Sequence, residues 1–243
     1  MRELSLEENK QFQLDILKNV AEFCDENGLR YFLAYGTLIG AVRHKGFIPW
    51  DDDIDIQMPR PDYDTFIRTY KNDIYKVIAP AEDMSKHSVV KVIDTRTIKC
   101  EKGMKYKTGK ELGIDIDVFP LDGQPECEKE FKKYYKKKQR LLKYFHYTIC
   151  DIKRLSLKAK IASFLSRTYA NLLNAKNIMK KIAKINKKFS YESCKYIGAT
   201  DSLYNSINNR NPKEWYNDTV NMEFEGCEFK APVGYDEILK KGL

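Results

Sequence analysis

An acidic run in the sequence ends in the alternating pattern Asp53-Ile54-Asp55-Ile56. Successive side chains of a strand point to opposite faces, so a strand over residues 52–58 would place both aspartates on one face and both isoleucines in a core. Two carboxylates held side by side repel each other unless a cation lies between them. Oxygen ligands suit Mg²⁺ or Mn²⁺ better than Zn²⁺, so we predict a divalent-metal site here.

A candidate anion site precedes this run. Gly36 and Thr37 interrupt an apolar stretch, and LIGAV (38–42) predicts a short helix after them. A glycine turn before a helix start leaves backbone N–H groups free to bind an anion, and Arg43 and Lys45 add positive charge. Phosphoryl and nucleotidyl transfer require groups that bind phosphate next to carboxylates that bind a metal ion. The alternative is a solvated acidic loop, which the alternation with isoleucine disfavours.

A second segment repeats the alternation of aspartate with apolar residues. In GIDIDVFP (113–120), Asp115 and Asp117 alternate with isoleucine and valine. As a strand, this segment would turn its apolar side chains to a core and both aspartates to the opposite face. The alternative is an edge strand with one face in water. We prefer a strand that contributes to the same site.

Three stretches of the chain resemble the LicD/fukutin family. They are RHKGFIPWDDDID (43–55), which follows Gly36-Thr37, then GIDIDVFPLD (113–122), and more weakly FEGCEFKAPVGYDEIL (224–239). Members are phosphoryl-transfer enzymes related to polymerase-beta-type nucleotidyltransferases. Their typical reaction moves phosphocholine from CDP-choline onto cell-surface glycans. The resemblance implies an α+β fold with a small mixed nucleotidyltransferase-like sheet flanked by helices.

The resemblance also implies roles for the acidic residues. A third carboxylate on a strand beside the Asp53/Asp55 strand completes the metal site in the family. Asp117 is our first choice for this ligand and Asp115 the second, because spacing alone does not separate them. We therefore expect Asp53, Asp55 and Asp117 to be catalytic and to bind Mg²⁺ or Mn²⁺. Asp117 would also accept the proton of the attacking hydroxyl.

The donor phosphates are expected on the Gly36/Thr37 turn, with Arg43 and Lys45 as clamps. The resemblance implies a CDP-alcohol donor, CDP-choline first, with CDP-glycerol or CDP-ribitol as alternatives, and a glycan or lipid-linked oligosaccharide acceptor. A sugar-nucleotide glycosyltransferase with an Asp-x-Asp metal site is a rival. A non-catalytic membrane or nucleic-acid binding module is another, although no nucleic-acid module is recognisable. We expect Trp50 and Phe47 to shape the core beside the site.

Bulk properties favour a globular protein. The chain has 243 residues, 42% hydrophobic residues and a net charge of +8. It has no long apolar run for a membrane span, and its start, MRELSLEENK, lacks the apolar centre of a signal peptide. Six scattered cysteines and three dispersed histidines indicate neither a disulfide framework nor a zinc site. We therefore expect a cytoplasmic protein with reduced thiols.

The positive charge is concentrated in one segment. Residues 129–188 contain 19 Lys and Arg against two acids, so the rest of the chain is net acidic. We expect three parts: a catalytic core (1–125), a basic helical subdomain (126–190) and a C-terminal segment packing back on the core (191–243). Basic amphipathic helices suit an anionic membrane surface, so peripheral contact at the inner face of the membrane competes evenly with solvated lysine faces.

Local patterns predict the remaining elements. A capping box at Ser5 and Glu8 begins a helix over 6–26, and a strand at 31–35 should pair with 52–58. We also predict a helix over 63–71 with Asp62 as its cap. The other predicted elements are strands at 75–79, 88–93 and 97–101, a loop near the site at 102–112, helices within 131–149, 156–173 and 177–189, a hairpin over 221–230 and a last helix opening near 231.

Overall fold

The computed structural model describes residues 2–80, 87–99, 112–149, 164, 166–170, 172–203 and 206–242. The named helices are α1 (Leu6–Glu26), α2 (Tyr35–His44), α3 (Arg60–Thr69), α4 (Glu128–Ile149), α5 (Ala175–Asn186) and α6 (Tyr235–Gly242). The strands are β1 (Phe32–Leu33), β2 (Asp55–Pro59), β3 (Tyr75–Ile78), β4 (Val90–Asp94), β5 (Asp115–Gln124), β6 (Tyr196–Gly198), β7 (Asn211–Pro212), β8 (Thr219–Phe224) and β9 (Cys227–Pro232). The predicted α+β class is confirmed.

A mixed sheet forms the centre of the molecule. Its strand order is β1-β2-β5-β4-β3, and β6 and β7 extend it from the far end of β5. Strand β2 runs parallel to β5, whereas β4 pairs with β5 in the antiparallel sense. The long strand β5 therefore lies between β2 and β4, so residues of all three strands share one face.

One face of this sheet carries the main hydrophobic core. Ile54, Ile56, Ile116 and Val118 are at most 1% exposed and pack with the apolar side of α1. Full burial of such side chains contributes about 2 kcal/mol each. Because side chains alternate along a strand, the same residues direct the intervening aspartates to the opposite face. The predicted core positions of the isoleucines are confirmed.

The predicted α1 helix and the β1–β2 pairing are confirmed. Ser5 caps α1, and the backbone N–H of Ser5 donates to the Glu8 side chain in the expected capping box. Strand β1 covers only two residues, since Tyr35 already begins α2. Gly36 and Thr37 therefore lie in the first turn of α2 rather than in a turn before it, which corrects the prediction.

Two other predicted local features are wrong. Helix α3 begins at Arg60 after Pro59, and Asp62 accepts hydrogen bonds from the backbone and side chain of Arg30 instead of capping the helix. Trp50 is 84% exposed, so it does not belong to the core, whereas Phe47 packs against Phe224 as expected. Trp50 lies in a turn between α2 and β2, outside the helices and strands that the structure describes.

The predicted strands at 75–79 and 88–93 are confirmed as β3 and β4. The predicted strand at 97–101 is not formed over its described part, where only Lys99 makes an isolated bridge to Leu112. The predicted loop at 102–112 and most of the predicted helix at 156–173 lie outside the described residues. Cys24, Cys127, Cys194 and Cys227 are free thiols.

The C-terminal half contributes a packed pair of helices and a β-hairpin. Helices α4 and α5 share an apolar cluster that includes Leu142, Phe145 and Ile182. The predicted hairpin is confirmed as β8–β9, with Glu225 and Gly226 at positive φ in its turn, and the side chains of Phe224 and Phe229 enter the main core. Among the described residues, no helix is both long and apolar enough to span a bilayer. The division into three parts stays a prediction.

Candidate active site

The two aspartate-bearing strands are neighbours. Asp55 of β2 is the direct parallel partner of Asp117 of β5, and the Asp117 N–H donates to the Ile54 carbonyl oxygen at 2.9 Å. Asp53 precedes β2, close enough for its charge to act on Asp117. We call Asp53, Asp55, Asp115 and Asp117 the carboxylate site. The prediction that acidic side chains from two strands meet is confirmed by this register.

A buried lysine that the sequence analysis missed adjoins these carboxylates. Lys91 of β4 is the antiparallel partner of Asp117, so Lys91, Asp117 and Asp55 form a row across three strands. Its Nζ donates to Asp117 Oδ1 at 2.6 Å and also to Asp115 Oδ2. The signal was a single lysine within the apolar run VVKVI (89–93), where the alternation places it on the aspartate face.

Asp115 and Asp117 have different surroundings. Lys99 Nζ lies 2.7 Å from Asp115 Oδ1, so Asp115 binds two ammonium groups and its side chain is 2% exposed. Burial opposes its charge, but Lys91 and Lys99 outweigh burial and lower the pKa of Asp115. The Asp117 side chain is 27% exposed and pairs with Lys91. Asp117 is therefore the more open of the two carboxylates.

Nearby cations do not offset burial at the other carboxylates. Burial and then repulsion from Asp117 and Asp53 raise the pKa of Asp55 well above its usual value. Desolvation, followed by Asp51, raises the pKa of Asp53 to about 6. Burial also raises the pKa of Asp117, although Lys91 opposes this shift. Carboxylates with raised pKa values on a sheet face are typical of functional sites, because a purely structural cluster would be neutralised by partners.

The first turn of α2 holds the start of β2. Thr37 Oγ1 accepts a hydrogen bond of 2.8 Å from the Asp55 N–H, and the Ala34 N–H donates to the Asp55 carbonyl oxygen at 3.0 Å. A Cβ on Gly36 would lie 2.4 Å from Asp51 Oδ2. Glycine therefore lets the acidic loop approach the helix start. The anion-binding role of Gly36 and Thr37 stays a prediction.

The two expected phosphate clamps lie elsewhere on α2. Arg43 is in its last turn, and Lys45 caps its C-terminus in the left-handed region with φ of 55°. Lys45 Nζ pairs with Glu223 Oε2 of β8 at 2.8 Å, and both side chains are exposed. A ten-residue helix is about 15 Å long, so these cations are separated from the Gly36/Thr37 turn by the length of α2. The structure does not bring them to the carboxylate site.

The carboxylate site fits a divalent cation chemically. It offers only oxygen donors, with four carboxylates against the two ammonium groups of Lys91 and Lys99. With side chains as they stand, no three His, Cys, Asp or Glu residues of the described chain converge tightly enough to form a ready metal cage. Lys91 instead holds one oxygen of Asp117, which leaves Asp53 and Asp55 as the carboxylates without a cationic contact in the described chain.

A separate group of buried charges lies at the other end of β5. Arg60 makes a two-pronged contact with Asp122 at 2.6 and 2.9 Å, and Lys138 Nζ lies 2.6 Å from Asp201 Oδ1. Arg60 also reaches Asp201 Oδ2 at 3.4 Å, and the Lys138 side chain is fully buried. We call these four residues the ionic cluster. The sequence analysis missed it because its members are far apart in the chain.

A cavity adjoins each of these two groups of charged residues. One of about 160 Å³ is lined by Lys91, Asp117, Phe119 and Phe145, and so adjoins the carboxylate site. A larger one of about 700 Å³ lies between α3 and α5 beside the ionic cluster. Of the carboxylates that line the larger cavity, Asp64 and Asp201 already pair with Arg60, so size alone does not locate the site.

Comparison with known proteins gives two kinds of match. The nucleotidyltransferase domain of the LicD/FKTN/FKRP family matches residues 28–161. The lipopolysaccharide cholinephosphotransferase LicD of Haemophilus influenzae is 33% identical over 246 residues, which cover 98% of this chain and 90% of that protein. An uncharacterised protein of Rickettsia typhi is 41% identical over 58 residues, 24% of this chain and 19% of its own length. One of Rickettsia prowazekii is 45% identical over 47 residues, 19% and 18% respectively.

Proposed function

The chain belongs to the LicD/FKTN/FKRP family of nucleotidyltransferase domains, and from that premise we propose that it is a metal-dependent phosphotransferase. Its reaction transfers phosphocholine from CDP-choline to a hydroxyl group of a cell-surface glycan or its lipid-linked precursor. The relative of Haemophilus influenzae, a lipopolysaccharide cholinephosphotransferase, supports this choice of donor group and acceptor class. Asp53, Asp55 and Asp117 would hold Mg²⁺ or Mn²⁺.

The proposed step exchanges one phosphorus–oxygen bond for another. The acceptor hydroxyl oxygen bonds to the phosphorus that carries the choline group. The bond from this phosphorus to the bridging oxygen of the diphosphate breaks, and CMP leaves with the electron pair. Asp117 takes the hydroxyl proton, a role that its raised pKa suits, while Lys91 fixes the orientation of its carboxylate. The bound divalent cation would neutralise charge on the phosphoryl oxygens.

The observation that carries the proposal is the register of Asp55 against Asp117, next to the first turn of α2. Parallel strands hold the two carboxylates side by side, Asp55 has no cationic contact in the described chain, and Thr37 fixes the backbone of Asp55. A diphosphate placed at this turn would meet unpaired helix N–H groups and the metal-binding carboxylates together. Asp115 is the less suitable third ligand because two lysines already bind it.

The test is CMP release by the purified chain from a panel of nucleotide donors with Mg²⁺, with and without a lipopolysaccharide-type acceptor. We expect turnover of CDP-choline that requires both acceptor and metal and stops with EDTA. Turnover of CDP-glycerol or CDP-ribitol instead would keep the phosphotransferase and change its donor. If sugar nucleotides are used and no CDP-alcohol is, the proposal is wrong and a glycosyltransferase replaces it.

Membrane association is a separate proposal about the acceptor. Lys129, Lys132, Lys133 and Lys136 line one exposed side of α4, and an acceptor still bound to a lipid would bring this side near anionic headgroups. Sedimentation with phosphatidylglycerol vesicles should then remove the protein from solution at low salt and not at high salt. Absence of binding at every salt concentration would exclude this contact while leaving the phosphotransferase proposal intact.

A further inference from the structure

A second cavity adjoins the carboxylate site from the other side of Tyr35. Its volume is about 290 Å³, and it lies between the start of α2, the segment 206–211 and α6. Ala34, Tyr35 and Gly36 form the wall that faces the carboxylates, because Ala34 is hydrogen-bonded to Asp55. A ligand filling this cavity would therefore lie against the first turn of α2.

The bottom of the cavity is formed by the sheet face that carries the aspartates, one row further along β2. Gln57 follows Asp55 by two residues on β2 and is the register partner of Phe119, as Asp55 is of Asp117. Side chains two residues apart on a strand lie on one face. Gln57 thus lines the cavity in the position adjacent to the metal-binding row. The cavity therefore lies one row along the sheet face from the carboxylate site.

Four amides line the cavity, Gln57, Asn208, Asn209 and Asn211, together with Lys241, whose ammonium already donates to the Arg210 carbonyl oxygen and to Asn211 Oδ1. Gln57 is 8% exposed; its Oε1 accepts a long hydrogen bond of 3.5 Å from Tyr216, and its amide nitrogen has no partner within the described part of the chain. Asn209 donates to Tyr35 Oη at 3.3 Å, and its own Oδ1 has no partner among the residues described. Amides donate and accept together, which suits a neutral ring that carries both donors and acceptors.

Tyr35, at the wall of the cavity, has a strained backbone. Tyr35 has φ of 46°, in the left-handed region that bulky residues rarely adopt. Such conformations persist where the surrounding contacts impose them and are concentrated at ligand sites. The ring of Tyr35 packs edge-on against Phe119 at 5.1 Å, and Phe119 belongs to the small cavity beside Asp117. Tyr35 therefore lies between the two cavities, of which the smaller is lined by Asp117.

We propose that the 290 Å³ cavity binds the pyrimidine nucleoside of the donor, with its 5′-phosphate directed across the first turn of α2 to the carboxylate site. The volume is at the lower end for small-molecule sites, about 300 Å³, which fits a nucleoside better than an extended glycan. This assignment depends on the proposed function, since it presumes a nucleotide donor. It adds Gln57 and Asn209 as the residues that contact the base or ribose.

The experiment compares two ligands in four variants by isothermal titration calorimetry with Mg²⁺. CMP carries the nucleoside, and inorganic pyrophosphate carries only the phosphates. Ser206→Trp places an indole at the exposed edge of the cavity, and Asn209→Ala removes one of its amides. Ser193→Trp and Asn221→Ala are matched controls at exposed positions outside it. Thermal denaturation confirms that each variant is folded.

We expect both cavity variants to bind CMP at least 10-fold more weakly and pyrophosphate within twofold of the original chain, and both controls to match the original. Unchanged CMP affinity in the two cavity variants, with normal CMP release from CDP-choline by the original chain, would overturn the cavity assignment and leave the proposed function standing. An original chain that neither binds CMP nor releases it from any CDP-alcohol would contradict both.

Discussion

The two ends of β5 carry two groups of charges with opposite designs. At one end, the ionic cluster pairs Arg60 and Lys138 with Asp122 and Asp201, so two cations meet two carboxylates and the charges balance. At the other end, the carboxylate site sets four aspartates against Lys91 and Lys99. One group is complete within the protein, and the other has negative charge in excess.

The difference appears in the pKa shifts. In the ionic cluster, burial opposes the charges but Lys138 and Arg60 outweigh it and lower the pKa of Asp201. In the carboxylate site, burial and like charge act together and raise the pKa of Asp55. A protein retains uncompensated carboxylates at a cost in stability, so a ligand of positive charge is the simplest reason for them. Buried charge thus marks structure when balanced and function when not.

The largest expected effect is on stability, from the ionic cluster. Asp201→Asn leaves the fully buried ammonium of Lys138 with Asp122 at 3.7 Å as its nearest carboxylate. Breaking a buried pair on one side costs about 3–5 kcal/mol. We expect a loss of this size in the free energy of unfolding, measured by urea denaturation. A loss below about 1 kcal/mol would mean that the cluster is not a structural element.

Asp55→Asn should have the converse effect at the carboxylate site. We expect CMP release to fall about 1,000-fold, equal to about 4 kcal/mol in activation free energy. The free energy of unfolding of the metal-free protein should stay the same or rise, because the change removes repulsion from Asp117. The matched control is Asp73→Asn, at an exposed position, with activity unchanged. Destabilisation of Asp55→Asn by several kcal/mol would place Asp55 among structural charges.

In the metal-free protein, Asp53 and Asp201 should make stability depend on pH in opposite directions. Asp53 has a raised pKa of about 6, so the folded protein without metal holds this proton more tightly than the unfolded chain, and stability is lost as pH rises from about 4 to 6. Asp201 has the opposite sign: its stabilisation is present above its unfolded pKa and lost as pH falls through the lower folded pKa. Melting temperatures from pH 3 to 8 separate the two regions.

Mg²⁺ at about 100 times its Kd should add about 2.7 kcal/mol, or about 5–10 °C in melting temperature, at pH 8. The gain should shrink at pH 5, where protons compete for the same carboxylates. An equal gain at both pH values would show that Mg²⁺ binds elsewhere.

Asp115→Asn tests the division within the carboxylate site. Two charged hydrogen bonds to lysine are weakened, so we expect a loss of about 2 kcal/mol in unfolding free energy. CMP release should stay within about threefold of the original because Asp117 remains. Asp117→Asn should instead abolish release. Equal losses of activity in both variants would assign Asp115 to the metal as well.

The smallest expected effect comes from Thr37. Thr37→Val removes the hydroxyl that accepts the Asp55 N–H at 2.8 Å, at a cost of about 1 kcal/mol in unfolding free energy. Because Thr37 fixes the backbone that carries Asp55, we expect CMP release to fall about 10-fold. Thr37→Ser, which keeps the hydroxyl, should restore most of this activity. Unchanged activity in Thr37→Val would contradict this role of the hydroxyl.

The aspartate strands could be predicted because their signal is local. Alternation of Asp with Ile at 53–56 and at 114–117 defines both faces of each strand from sequence alone, and burial of Ile54 and Ile116 confirms it. That the two strands are neighbours was implied by the family resemblance, since alternation does not specify a partner, whereas their parallel sense comes from the structure. The predicted start of α2, residue 38, is three residues too late, because Tyr35 adopts a conformation that propensities disfavour.

The ionic cluster could not be predicted, for a different reason. Lys138 lies in FKKYYKKKQR (131–140), and helical spacing places it on the apolar stripe of Phe131, Tyr134 and Leu142. That spacing does not identify its partners, which are Asp201 and Thr200, distant in the chain. The prediction for Trp50 was wrong for a related reason. An aromatic side chain in an apolar segment is usually buried, yet Trp50 is 84% exposed. Burial of single residues in loops depends on what packs there.

The central claim is that Asp55 and Asp117 share a divalent cation. It is tested most directly by electron paramagnetic resonance titration of Mn²⁺ into the metal-free chain and into Asp55→Asn, Asp117→Asn and Asp73→Asn. The account predicts Mn²⁺ binding in the original chain and in Asp73→Asn, weakened at least 30-fold, about 2 kcal/mol, in each of the other two variants. Mn²⁺ binding with equal affinity in all four proteins would contradict it.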